Sequence, residues 1–144
     1  MILVSACLAG IPCRWDGRAK PNNAVEELVR QGKAIPVCPE QLGGLTTPRK
    51  PAERKNGRVV DSDGIDVTDA FAKGAKITLD IAAKFHCVKS IMKSKSPSCG
   101  IGEIYNGEFN GDLRHGNGVT SELLMKSGIE VVTENEIPNI SGEI

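Results

Sequence analysis

Two short apolar runs, Ile2-Leu-Val-Ser-Ala6 and Ala34-Ile-Pro-Val37, bracket a stretch with helical spacing, and that order constrains the fold more than any other feature of the chain. Runs of this length, bounded by turn residues, read as strands buried on both faces. Between them, Ala24 to Gln31 carries Val25, Leu28 and Val29 on one helical face, with Asn22 or Asn23 to cap its start and Gly32 suited to its left-handed end. Strand, helix and strand in succession predict a right-handed βαβ unit whose two strands are parallel and finish on the same edge of a sheet.

The pattern then repeats. A helix capped by Asp66 or Thr68 and running to about Phe85 has Phe71, Ala75, Leu79 and Ala82 on its buried side and Lys73, Lys76, Asp80 and Lys84 on the other. It leads to a third strand, Cys87 to Met92. A last helix, about Thr120 to Lys126, closes at Gly128 before a fourth strand, Ile129 to Val132. The resulting expectation is a single α/β domain over residues 1–144, an open and mainly parallel sheet flanked by helices in a Rossmann-like arrangement. A small hairpin is expected at Ile104 to Phe109, turning at Asn106-Gly107. Pro39 to Gly64, rich in Gly, Pro and Thr, reads as one long loop, and the acidic tail after about 134 as frayed.

Composition narrows the function. Eighteen Lys and Arg offset eighteen Asp and Glu, so the overall field offers no case for a nucleic-acid or membrane-surface partner. The basic run Arg49, Lys50, Arg54, Lys55 and Arg58 reads as a solvated loop. No stretch approaches the roughly 18 apolar residues of a membrane span, and the Met1 to Cys7 start lacks the basic leader of a signal peptide, so cytoplasmic residence is the expectation. Disulfides are rare in that compartment. Five cysteines in 144 residues therefore point to metal binding or catalysis.

Three of the five, Cys7, Cys38 and Cys99, stand in loops just past the carboxyl ends of predicted strands, where open α/β sheets bind their ligands. Thiolates converging there would hold a metal centre with one coordination position left for substrate, whereas a fourth cysteine would close it. Cys87 reads as a small buried hydrophobe. Cys13 shares a loop with Cys7 and is near enough to join a metal site or form a redox pair, but its spacing matches no standard ligand signature. His86 and His115 have no ligand spacing either.

The chain also resembles a known family. Val4-Ser-Ala-Cys-Leu8, Cys13-Arg-Trp-Asp-Gly17, Pro36-Val-Cys-Pro-Glu40, Gly43-Gly-Leu45 with Pro48-Arg49, Gly64-Ile-Asp-Val-Thr68 and Lys95-Ser-Pro-Ser-Cys-Gly100 are similar, in order, to the motifs of the thiouracil desulfidases. The resemblance implies a 4Fe-4S cluster on Cys7, Cys38 and Cys99, one iron open to the sulfur of a thiolated nucleobase such as 2-thiouracil. It implies a non-redox reaction in which water oxygen replaces the sulfur. Cys13 stands where many relatives carry valine and is left outside the ligand set. Trp15, Ala19 and Thr46-Thr47 depart from the usual pattern around the pocket.

Residue chemistry fits such a reaction. A soft, thiolate-ligated iron suits sulfur and polarises a C=S carbon toward attack. Glu40, two residues from Cys38, is the candidate general base or acid. Ser96 and Ser98, either side of Pro97, are candidates to bind substrate or relay a proton, and Asp16 to orient water or a basic residue. Two other readings stand beside this one: a structural zinc or nucleic-acid-binding module related to tRNA thiolation, and a thiol redox protein using Cys7 and Cys13. Neutral charge with one Trp and one Tyr weighs against the first, and the missing C-x-x-C spacing against the second.

Overall fold

Four parallel strands form the sheet in the computed structural model, which describes residues 1–139 and Gly142. They are β1 (Ile2–Ser5), β2 (Ala34–Val37), β5 (Lys89–Met92) and β8 (Glu130–Thr133), in the spatial order β2-β1-β5-β8. β1 lies between β2 and β5, with Leu3 opposite Ile35 on one side and Ser90 on the other. The chain steps outward from β1 to β2, then returns to the far side of β1 for β5. A crevice therefore opens at the carboxyl ends of β1 and its neighbours, the switch point of an open α/β sheet.

Alternation along β1 divides the core in two. Ile2 and Val4 pack on one face with Val25 and Leu28 of helix α1 (Asn23–Arg30). Leu3 packs on the other with Ala82 of α3 (Thr68–Lys84) and Leu124 of α4 (Val119–Lys126). Burying each such side chain contributes about 1.5–3 kcal/mol. Asn22 caps α1, its side-chain oxygen accepting from the N–H groups of Ala24 and Val25 at 3.1 and 3.2 Å. At the start of α3 the cap is Val67, not Asp66 or Thr68. Asp66 instead accepts from the Thr68 N–H, and the Thr68 hydroxyl accepts from the Val59 N–H at 2.8 Å, tying the helix to a neighbouring strand.

The expected Pro39–Gly64 loop is not structureless. It opens with the one-turn helix α2 (Pro39–Leu42) and contains the antiparallel hairpin β3 (Ala52–Lys55) and β4 (Arg58–Asp61). The charged faces of Glu53, Arg54 and Arg58 hid the strands, although Asn56-Gly57, both in the left-handed region, is a hairpin turn signal. Nor is the basic run simply solvated. Arg54 pairs with Glu122 of α4 at 2.9 Å, and Arg49 is largely buried.

The second hairpin is also wider than expected. Its strands are β6 (Glu103–Tyr105) and β7 (Leu113–His115), so Asn106-Gly107 begins a longer loop instead of forming the turn. Glu134 belongs to no frayed tail: it accepts from the Ser94 N–H at 2.7 Å and pairs with Lys93 at 3.2 Å, ahead of a short turn at Ile137–Asn139. The expected fraying at residues 140, 141, 143 and 144 lies outside the described residues.

Candidate active site

Each of the three strand-end cysteines is placed by a different local device. Cys7 sits in the 3-10 turn Ala6–Ala9 that caps β1, and its carbonyl accepts from Gly10 and Lys20. Cys38 follows β2 directly and is the N-cap of α2, with Pro39 at the first helical position. That helix is seated by a backbone contact with α3: a Cβ on Gly74 would lie 1.9 Å from the Pro39 carbonyl oxygen, and one on Gly43 2.0 Å from that of Ala70. Only glycine at both positions lets α2 sit where it holds Cys38. Cys99 lies seven residues past β5, in a loop pressed on the start of α4, where a Cβ on Gly118 would fall 2.3 Å from the Ser98 carbonyl.

The three loops meet. Cys7, Cys38 and Cys99, joined by Cys13, line one cavity of about 340 Å³ at the carboxyl edge of the sheet. Burial pushes the Cys99 thiol up to about 12, with the Ser5 hydroxyl pulling the other way. The Cys7 thiol is likewise pushed up to about 11 by burial, with the Lys93 ammonium opposing. Cys38 differs: the thiol of Cys13 beside it holds it below the ordinary thiol range against the cost of burial, and the Gln41 N–H adds to this. The pKa of Cys13 is raised in return, by its contact with Cys38 and by burial. Among the cavity's thiols, Cys38 is thus the one pushed toward the thiolate.

Glu40 reaches the same cavity from α2. Its carboxylate is held by Arg49, whose Nη2 lies 3.4 Å from Oε2. The same Nη2 donates to the Cys13 carbonyl at 3.0 Å, and Nη1 to the Thr46 carbonyl at 3.1 Å and Thr47 Oγ1 at 3.0 Å. With its side chain 7% exposed, Arg49 clamps the Cys13 loop to the Glu40 helix. Sequence reasoning passed over it as part of a charge run; its place after Pro48, in a motif shared with the family resembled, was the available signal.

Ser96 lines the cavity, its oxygen accepting from the N–H groups of Ser98 and Cys99 at 3.1 and 3.0 Å. Ser98 and Asp16 are not among the cavity's lining residues. The Ser98 hydroxyl bonds Thr120 at 2.9 Å inside the protein, and Asp16 accepts from the Arg18 N–H at 3.0 Å and lies 3.5 Å from Arg14. Lys93 and Ser94 do line it, a pair the sequence reading did not single out; Glu134 braces both from outside. Cys87, buried at the amino end of β5, keeps its role as a core hydrophobe.

A family model described as 2-thiouracil desulfurase matches residues 2–136. The chain belongs to that family. The uncharacterised protein YbbK of Bacillus subtilis (strain 168) is 43% identical over 150 residues, covering 97% of this chain and 99% of that one. A solved structure of the 4Fe-4S-dependent thiouracil desulfidase TudS matches with a TM-score of 0.92 at 44% identity, over 96% of this chain and 93% of that chain.

The donors of this desulfurase-family member suit a cluster better than a single ion. Among the described residues, no three His, Cys, Asp or Glu side chains are gathered closely enough to hold one metal. A lone zinc would draw every sulfur to ~2.3 Å from one atom, whereas a cubane takes each thiolate at a different iron and has width of its own. Soft sulfur donors from three loops, around a cavity with room to spare, fit the second arrangement better than the first. Among the described residues, no helix is long and apolar enough to cross a membrane.

Proposed function

We propose that this protein desulfurates a thiolated nucleobase such as 2-thiouracil, using a 4Fe-4S cluster held by Cys7, Cys38 and Cys99. The convergence of those thiols with Glu40 on one strand-end cavity, in a member of this family, carries the reading. The overall balance is thiouracil plus water to uracil plus hydrogen sulfide, with no change in electron count. When bound, the cluster supplies an iron without a protein thiolate, a soft Lewis acid for the thiocarbonyl sulfur.

The chain's own residues do the rest. Glu40 takes a proton from the attacking water and returns it as the sulfur departs, its carboxylate held in place by Arg49. Ser96 uses its lone pairs on two backbone N–H groups, and its hydroxyl hydrogen is the donor it offers to a substrate oxygen or nitrogen. Those two bonds also fix the turn that carries Cys99. Cys13, through Arg49 and Cys38, sets the loop that closes one side of the site.

Anaerobic reconstitution with iron and sulfide tests this directly. The expected result is about four irons per chain, a brown absorbance near the thiolate-to-iron region, and conversion of 2-thiouracil to uracil that carries oxygen from labelled water. Colourless protein with stoichiometric zinc, or uracil without solvent oxygen, would overturn it.

A further inference from the structure

Three of the chain's five aromatic side chains, Trp15, Tyr105 and Phe109, line the cysteine cavity. Trp15 comes from the turn after Cys13, Tyr105 from β6 and Phe109 from the loop beyond it. All three remain partly in the open, at 43, 36 and 40% exposure, although rings of this size gain most from full burial. Of the other two, Phe71 fills the core beneath α3, and Phe85 lies at the end of that helix. In a chain so poor in aromatic residues, this concentration at one cavity needs a cause that packing does not supply.

The placement of Phe109 is built in. Its φ of 53° lies in the left-handed region, which a bulky side chain rarely adopts. Glu53 on β3 holds it there. That carboxylate is buried, lines the cavity, and accepts through Oε1 from the N–H groups of Gly107 at 2.9 Å and Phe109 at 3.1 Å. The loop sits hard against β3: a Cβ on Gly107 would come within 2.8 Å of the Arg54 carbonyl oxygen. Trp15 is anchored separately, its carbonyl accepting from the Arg49 N–H at 2.8 Å. A buried carboxylate is costly without donors, and this one takes its donors from a loop otherwise made of exposed, polar residues.

We propose that Trp15, Tyr105 and Phe109 form an aromatic rim that stacks on the ring of the substrate, and that Glu53 is the positioning residue presenting Phe109. The inference rests on the desulfidase reading and names what the site selects: planar heteroaromatic thiocarbonyl compounds, with tolerance at the ring edge because every base offers a π-face. The rim contributes to holding the ring and not to the proton transfers, so its loss falls on binding.

The test uses the reconstituted holoenzyme, with steady-state kinetics on 2-thiouracil and equilibrium dialysis of uracil, the product. Phe109→Ala should raise KM and weaken uracil binding by roughly tenfold, the scale of one lost stacking partner, while kcat stays within about threefold. Glu53→Ala should reproduce that split, and Glu53→Gln, which keeps an acceptor oxygen, should restore wild-type KM. Should Glu53→Ala fail to fold, Phe109→Ala decides alone, since its ring is half exposed. Unchanged uracil binding in Phe109→Ala overturns the rim. Uracil binding needs no turnover, so a wild-type holoenzyme that binds uracil but leaves 2-thiouracil intact sinks the desulfidase reading and not the rim.

Discussion

Cys87 and Cys99 flank the same strand, belong to the same buried apolar cluster and have thiols raised by that burial, yet only one of them also lines the cavity. Cys87 lies just before β5, at its amino end, and is not among the residues that line the cavity. At the carboxyl end, Cys99 enters a cavity with Cys7, Cys38 and Glu40. Burial by itself makes a cysteine inert. What makes Cys99 a candidate ligand is that three loops, leaving neighbouring parallel strands at one edge, deliver other thiols to it. No such delivery happens at the amino edge.

The sharpest way to break the contrast is to exchange the sulfurs. Cys99→Ser should abolish cluster absorbance and desulfuration together, because a hydroxyl is a poor ligand for a soft metal. Cys87→Ser should keep the spectrum and activity and lose about 1 kcal/mol in denaturant unfolding. If both variants retained the cluster, the carboxyl-edge site would not be where it binds. Next in size is Glu40→Gln, expected to leave the cluster spectrum intact and cut turnover by about 10²-fold; full turnover would pass the proton role to Ser96.

Gly74→Ala probes how the edge is assembled. Its Cβ would meet the Pro39 carbonyl, push α2 from α3 and shift Cys38, at about 1–3 kcal/mol of stability and with weakened iron binding. A variant of wild-type stability and iron content would show that α2 has room to move. The smallest effect concerns pH. Burial works to raise the pKa of Glu134, but the Ser94 N–H and the Lys93 ammonium outweigh it and hold the group below the usual carboxylate range. Its folded pKa is thus the lower one: the stabilisation is present above the ordinary Glu value of ~4.3 and fades as pH falls through the folded pKa. Melting curves from pH 6 to 3 should show Glu134→Gln losing less stability than wild type, by about 1 kcal/mol or less.

How much of this was legible varies by element. β1, α1 and β2 were readable nearly to the residue, because a buried strand and a one-sided helix must each show their apolar period locally. β3, β4 and the true span of the second hairpin were not. Their strands form two separate two-stranded sheets, carry charge, and are stabilised by distant partners: Arg54 by Glu122, the 106–112 loop by Glu53. Ser96 and Ser98 looked equivalent on either side of Pro97, but only the fold could turn one toward the cavity and the other toward Thr120.

The sequence by itself determined that parallel strands would release cysteine-bearing loops at one edge, since apolar periodicity and the βαβ connection leave little other choice. Only the tertiary structure decided which side chains face inward there. Cys13 meets Cys38 although the two are 25 residues apart, and Arg49 ties the Cys13 carbonyl to Glu40. Backbone patterns are imposed by neighbours along the chain, whereas a side chain's partners across the cavity depend on how separate loops, each with its own glycine contacts and caps, settle against one another.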